Sequence, residues 1–228
     1  MTYIVPHWSA SKFTCYDDCP AEFYQRYVLH EPMDIDPPMQ FGTAVHKGLE
    51  VHFRGADGDL AFRRTWRESI PNLRAAGYVV PNSLVEVGLC MIERVAALGI
   101  SGEPERKIWI RTDAYLGAPL LGYVDLWSAE TNTIYDFKTT LGAWGEARAE
   151  REVWQPCLYS YAYWIETEIL PAFEYIVLNR STGELQRFRT QRTHEQISDM
   201  LTRARQIAVS VAAEDWTCTC KKHLESAA

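Results

Sequence analysis

Two short stretches decide the fold: G-Y-V-D-L-W, Gly122 to Trp127, and I-Y-D-F-K-T, Ile134 to Thr139. Both are rich in β-branched and aromatic residues, and the residues between them, Ala129 to Asn132, are a turn sequence. The pair therefore reads as strands over 120–128 and 133–139 joined in a hairpin. Side chains at i and i+2 of a strand share a face. Asp136 and Lys138 then project side by side, and Asp125 on the preceding strand can lie beside Asp136 across the hairpin.

Working outward, Lys107 to Thr112 alternates around Ile108 and Ile110 as a first strand. A helix is expected from Glu152 to Glu168. Glu174 to Asn179 and Glu184 to Thr190 flank Arg180 to Gly183, a second hairpin signal. A last helix follows, with a capping box at Thr193 and Gln196 and apolar residues from Ile197 to Val211 at 3–4 spacing. Upstream, Ser9 to Leu29 reads as helical with a break at Cys19-Pro20. The Pro- and Asp-rich segment 31–38 reads as a loop. Helices are expected over Gln40 to Phe53, over 59–76, and from a capping box at Ser83 and Glu86 to Leu98. Helices, three strands, a helix, two strands and a helix make an α/β protein with one central sheet.

The 228 residues are 47% hydrophobic and 23% charged, ordinary globular composition, with no apolar run long enough to span a membrane. The start, M-T-Y-I-V-P-H-W, has no basic and then apolar leader, so a cytoplasmic location is expected. The net charge of −7 excludes a polybasic nucleic-acid binder. It allows an enzyme with a local acidic metal site.

Two carboxylates converging on one point suit a hard cation such as Mg²⁺ or Mn²⁺. A neighbouring lysine can stabilise charge developing on a phosphate. Asp125, Asp136 and Lys138 therefore point to metal-dependent phosphodiester hydrolysis, although a surface ion pair gives the same D-x-K spacing. Two other segments accompany it. F-G-T-A-V-H-K-G, Phe41 to Gly48, puts His46 one turn after Gly42. Gln155 and Tyr159 lie at i, i+4 on one helix face.

The ordered set S-A-S-K-F, C-P, G-T-A-V-H, G-Y-V-D, Y-D-F-K-T, Q-x-x-x-Y and a terminal Cys pair resembles the RecB-type nucleases of the PD-(D/E)xK superfamily. It is most similar to stand-alone phage exonucleases and CRISPR-adaptation nucleases. The resemblance covers nearly the whole chain. It implies a restriction-endonuclease-like fold, a mixed central β-sheet flanked by α-helices. It also implies one domain over 1–228, with N-terminal helices (1–100) and a Cys-containing tail (215–228) packed on the core. His46, Asp125, Asp136 and the Phe137 carbonyl would bind metal, Lys138 would be catalytic, and Gln155 and Tyr159 would lie near the DNA. The implied activity is a metal-dependent DNA exonuclease in phage-type replication, recombination or repair. Trimming of CRISPR spacer precursors, or a non-catalytic DNA-binding accessory role, are the alternatives. Glu103 and Glu105 precede the first strand, where an accessory acid could lie. Arg180, Arg187, Arg189 and Arg192 are candidates for a DNA track.

Six cysteines stand at 15, 19, 90, 157, 218 and 220. Cys90 and Cys157 sit in apolar segments and read as buried. Some members of the family carry a four-cysteine 4Fe–4S cluster, and Cys19, Cys218 and Cys220 with Cys15 or His223 are candidates for one. A zinc site, or no metal, is compatible with the same residues.

Overall fold

The structure, a computed structural model, describes residues 3–218. The chain opens with α1 (Ala10–Asp18), capped by the Ser9 hydroxyl, which accepts from the Lys12 N–H. Cys19 ends α1, and its Sγ accepts from the Glu22 N–H to start α2 (Pro20–Phe23), with Pro20 in the first turn, where its missing N–H costs nothing. A π-helical turn (Tyr24–Val28) completes this arm. Three helices follow, α3 (Pro37–Phe53), α4 (Gly58–Ala75) and α5 (Ser83–Ala96). The loop expected to include Pro37 and Pro38 ends at Asp36, because those prolines open α3. The capping box expected at Ser83 and Glu86 does not form: Ser83 is already helical, and Asn82 is the cap residue.

Five strands form one sheet in the order β1-β2-β3-β4-β5. They are β1 (Glu103–Ile110), β2 (Leu120–Ser128), β3 (Thr133–Thr140), β4 (Ala172–Asn179) and β5 (Leu185–Gln191). All neighbours are antiparallel except β3 and β4, which are parallel. Parallel pairing needs a crossover, and α7 (Glu146–Arg151) and α8 (Trp154–Thr167) supply it. A short α6 (Asp113–Leu116) joins β1 to β2, and α9 (His194–Ala212) closes the chain with the Thr193–Gln196 capping box made in both directions. β1 begins four residues earlier than expected. Its charged start, Glu103 to Lys107, hides the apolar alternation, and an edge strand tolerates such charges.

The sheet is covered on both faces. On one, Phe13 of α1, Trp154, Leu158 and Tyr163 of α8, and Met200 and Ile207 of α9 pack on Val124, Trp127 and Ile134. On the other, Phe41, Val45 and Leu49 of α3, with Phe62 and Trp66 of α4 and Met91 and Val95 of α5, pack on Leu126, Tyr135 and Phe137. Cys157 is buried as expected, whereas Cys90 is only partly covered. Among the described residues no helix is long and apolar enough to cross a membrane.

Candidate active site

The hairpin of β2 and β3 is short. Its ladder holds three pairs, from Ser128–Thr133 to Leu126–Tyr135. The next pair in that register would be Asp125 with Asp136, and there the strands part. The Phe137 N–H, beyond the end of the ladder, donates instead to Asp125 Oδ2 at 2.7 Å. On the other side of β2, Pro104 pairs with Leu126 and Arg106 with Val124, which sets Glu105 opposite Asp125. Glu105 has φ of 52°, a left-handed conformation that side chains rarely adopt. The side-chain alternation of β2 breaks at the same level. Val124 faces the α8 core and Leu126 the α3 core, although two residues on a regular strand share a face. The fork between β2 and β3 is thus built by a local kink in two adjacent strands.

Groups from both faces meet in this fork. From α3, His46 Nδ1 lies 3.3 Å from Asp125 Oδ1. From β3, Lys138 Nζ donates to Asp136 Oδ1 at 3.0 Å and lies 2.8 Å from Oδ2. The ammonium neutralises Oδ2 by charge but sits off its hydrogen-bond direction, so this buried oxygen makes no hydrogen bond. Lys138 Nζ also donates to Gln155 Oε1 at 2.7 Å, in the first turn of α8. Tyr159, one turn on, packs against Gly122. A Cβ at Gly122 would come within 2.6 Å of the Tyr159 ring, so only glycine fits here.

Two cavities flank the Lys138–Gln155 hydrogen bond. One, of about 610 Å³, lies between α1 and β2 and is lined by Thr14, Leu121, Gly122, Tyr123, Gln155 and Tyr159 among others. The other, of about 590 Å³, lies under α3 and is lined by His46, Glu50, Glu105, Phe137, Lys138 and Thr139 among others.

The charges are unequal. Burial lifts the Asp136 pKa to about 6, with Lys138 opposing and Asp125 adding to the rise. Burial also disfavours the Asp125 charge, but the His46 charge and hydrogen bond, with Lys138 and the Phe137 N–H, hold its pKa below the ordinary value. Burial pulls the His46 pKa down, and Asp125 reverses this and carries it up to about 9. The Glu105 pKa is raised by burial first, then by the charges of Asp125 and Glu50.

Two converging carboxylates, the partly buried Asp125 and the buried Asp136 with an oxygen that makes no hydrogen bond, and an imidazole beside them are a fitting donor set for Mg²⁺ or Mn²⁺. Among the described residues no three His, Cys, Asp or Glu side chains close on one point at ligand spacing. Protein cations, His46 and Lys138, balance the two aspartates instead.

Asp125, Asp136, Lys138, His46, Phe137, Gln155 and Tyr159 are therefore gathered in one place. Arg187 and Arg192 are not. Arg192 is buried and donates to the carbonyls of Ala149, Glu150 and Glu152, where α7 gives way to α8. Arg187 is paired with the buried Glu174. The helix expected over Glu152 to Glu168 begins two residues later, at Trp154, and α7 ahead of the break was not expected. Glu103 is on the exposed edge, paired with Arg106 at 3.7 Å. The sequence reading passed over Glu50, which lines the α3 cavity; its signal was its place four residues after His46 on the same helix face. Away from the fork, Cys19 Sγ and Cys218 Sγ stand 3.3 Å apart, and Cys15 is buried one turn before Cys19. Cys220 and His223 lie outside the described residues.

A mixed sheet with an aspartate on one prong of a fork and Asp-x-Lys on the other defines a nuclease core of the restriction-endonuclease-like class. The chain belongs to the PD-(D/E)XK nuclease superfamily, whose model matches residues 7–223. The fold is shared with a Eubacterium rectale protein described as a candidate exonuclease. That protein is 12% identical, with 96% of this chain and 88% of that one covered and a TM-score of 0.65. SSO0001 aligns over 87% of this chain and 86% of its own at 9% identity, with a TM-score of 0.38, too low to bear on the fold. No curated protein matches the chain.

Proposed function

We propose that this protein is a metal-dependent DNA exonuclease that hydrolyses phosphodiester bonds in single strands or at duplex ends, in phage-type replication, recombination or repair. The observation that carries the reading is the fork, where Asp125 and the buried Asp136 meet with Lys138 beside them. In this reading Asp125, Asp136, His46 and the Phe137 carbonyl hold Mg²⁺ or Mn²⁺, which supplies an activated water and charge neutralisation at the phosphate when bound. Lys138, held by Asp136 and Gln155, presents its ammonium to the phosphate and stabilises the negative charge that develops there. Gln155 fixes the lysine from α8, and Tyr159 fixes the β2 prong by packing on Gly122. Removing the Lys138 charge by substitution with alanine should lower turnover by about a hundredfold or more.

The test is digestion of end-labelled single-stranded, blunt duplex and circular DNA with Mg²⁺, Mn²⁺ or EDTA. Metal-dependent loss of label from linear substrates, with circles spared, is expected. Equal cutting of circles would replace the exonuclease by an endonuclease. Absence of cutting under every metal condition would reject the reading.

One observation supports a second metal centre. Cys19 and Cys218, 199 residues apart in sequence, bring their sulfurs to 3.3 Å. We infer that they belong to a cluster site, a 4Fe–4S centre with Cys220 and either Cys15 or His223. Protein purified without oxygen should be brown, with iron and sulfide in equal amounts, and Cys218→Ser should bleach it. A colourless preparation containing zinc would change the metal, and one with neither would leave Cys19 as a helix cap.

A further inference from the structure

The outer end of the β1–β2 ribbon bears two large aromatics in the open. Trp109 is 53% exposed and Tyr123 49% exposed, in a protein that buries most of its rings. The register pairs Lys107 with Tyr123 and Trp109 with Leu121. Trp109 and Tyr123 are therefore diagonal neighbours on one face of the sheet, with Lys107 on the same face. The Lys107 ammonium lies 5.3 Å from the centre of the Trp109 ring.

This face leads to the fork. Asp125 is two residues along β2 from Tyr123, a step of about 6.6 Å along a strand. Neither ring is needed to close a core, since each leaves about half its surface in water.

We propose that Tyr123 and Trp109 form a stacking platform for the bases of an unpaired nucleic-acid strand whose phosphate lies at Asp125 and Asp136. The assignment deepens the nuclease reading and rests on it for the position of the phosphate. A flat aromatic face binds any base by stacking, without regard to sequence. Bases in a duplex are stacked on each other and turned to their partners, so they cannot lie on the sheet. Lys107, presented beside the Trp109 ring, meets the backbone charge that accompanies each base. The occupant that fits two rings, an adjacent cation and a continuous path to a carboxylate pair is one extended single strand.

The experiment uses the full chain. Binding of a fluorescent oligothymidine is followed by anisotropy in EDTA, where no hydrolysis intervenes, for wild type, Trp109→Ala, Tyr123→Ala, the double variant, and Trp109→Phe with Tyr123→Phe. The same set is then assayed for hydrolysis of oligothymidine with Mn²⁺. Each alanine should weaken binding by about tenfold and raise KM far more than it lowers kcat, and the phenylalanine pair should restore both. A labelled duplex should bind more weakly and lose little with either alanine. Alanine variants that bind oligothymidine as wild type does, or that lose duplex and single strand equally, would overturn the platform. Wild-type turnover of bis(p-nitrophenyl) phosphate, which has no base to stack, reports separately on the nuclease reading. Its absence together with absent DNA cutting counts against the catalytic site, while the EDTA binding data still decide the platform.

Discussion

In metal-free protein the Asp136 carboxyl has no aqueous face, and its pKa is raised from the ordinary 3.8 to about 6. A folded pKa above the unfolded one means that the fold binds the extra proton between those values. Stability therefore falls as pH rises through that window and stays at the lower level above it. Asp136→Asn removes the ionisation. In EDTA at pH 7 the variant should melt at or above the wild-type temperature, with the gap closing near pH 4, while hydrolysis drops by about a hundredfold or more. A variant that cuts DNA at the wild-type rate would remove Asp136 from the site. His46 shifts stability in the same direction, over a higher window, but here it is the charged form that the fold favours. Its charged form is favoured up to about 9, so its contribution is complete below 6.5 and is lost as pH rises through 9. A pH series of melting temperatures in EDTA should decline between those values for wild type and decline less for His46→Gln. At this scale the sequence was readable where spacing is strict: Asp136 and Lys138 share a face by the two-residue period of a strand. Glu105 was harder to place, because its backbone leaves the strand conformation at that one residue, and spacing does not record φ.

Elements were legible where a pattern repeats and illegible where a single residue interrupts it. The amphipathic period and capping box of α9 are plain in the sequence. The break between α7 and α8 is not, because it is held by a residue from the far side of the sheet connection. Arg192 reads as a surface charge until its burial is known, yet its guanidinium donates to three carbonyls of that break. Arg192→Met should cost about 2–4 kcal/mol, measured by urea unfolding, because the carbonyls lose their donors away from water. A loss below 0.5 kcal/mol on that scale would show water taking the place of the guanidinium. Gly122 is the point where β2 touches α8. Gly122→Ala must move either the strand or Tyr159, with a stability loss of about 1–3 kcal/mol and reduced turnover at saturating DNA. Unchanged kcat in a folded Gly122→Ala protein would separate Tyr159 from the chemistry.

At the scale of the molecule, the two ends of the described chain meet. The Tyr16 hydroxyl donates to the Asp215 carbonyl at 2.6 Å, and the Trp216 ring lies against Phe23, Tyr24 and Tyr16. Arg203 of α9 pairs with Asp17 of α1 at 2.5 Å. Trp216→Ala should lower stability by about 2–3 kcal/mol, read as a shift in urea midpoint with little change at high salt, since the loss is of apolar packing. A shift that disappears in high salt would assign the closure to the Arg203 pair instead.

That meeting of the ends has a consequence for how the protein is made. Phe23 emerges from the ribosome early, and its cover, Trp216, comes 193 residues later. At roughly 5–20 residues per second, an aromatic surface waits on the order of ten seconds or more before its partner exists. During synthesis the first arm is therefore a ready substrate for chaperones, and the rate of translation, more than the rate of collapse, sets how long it stays so.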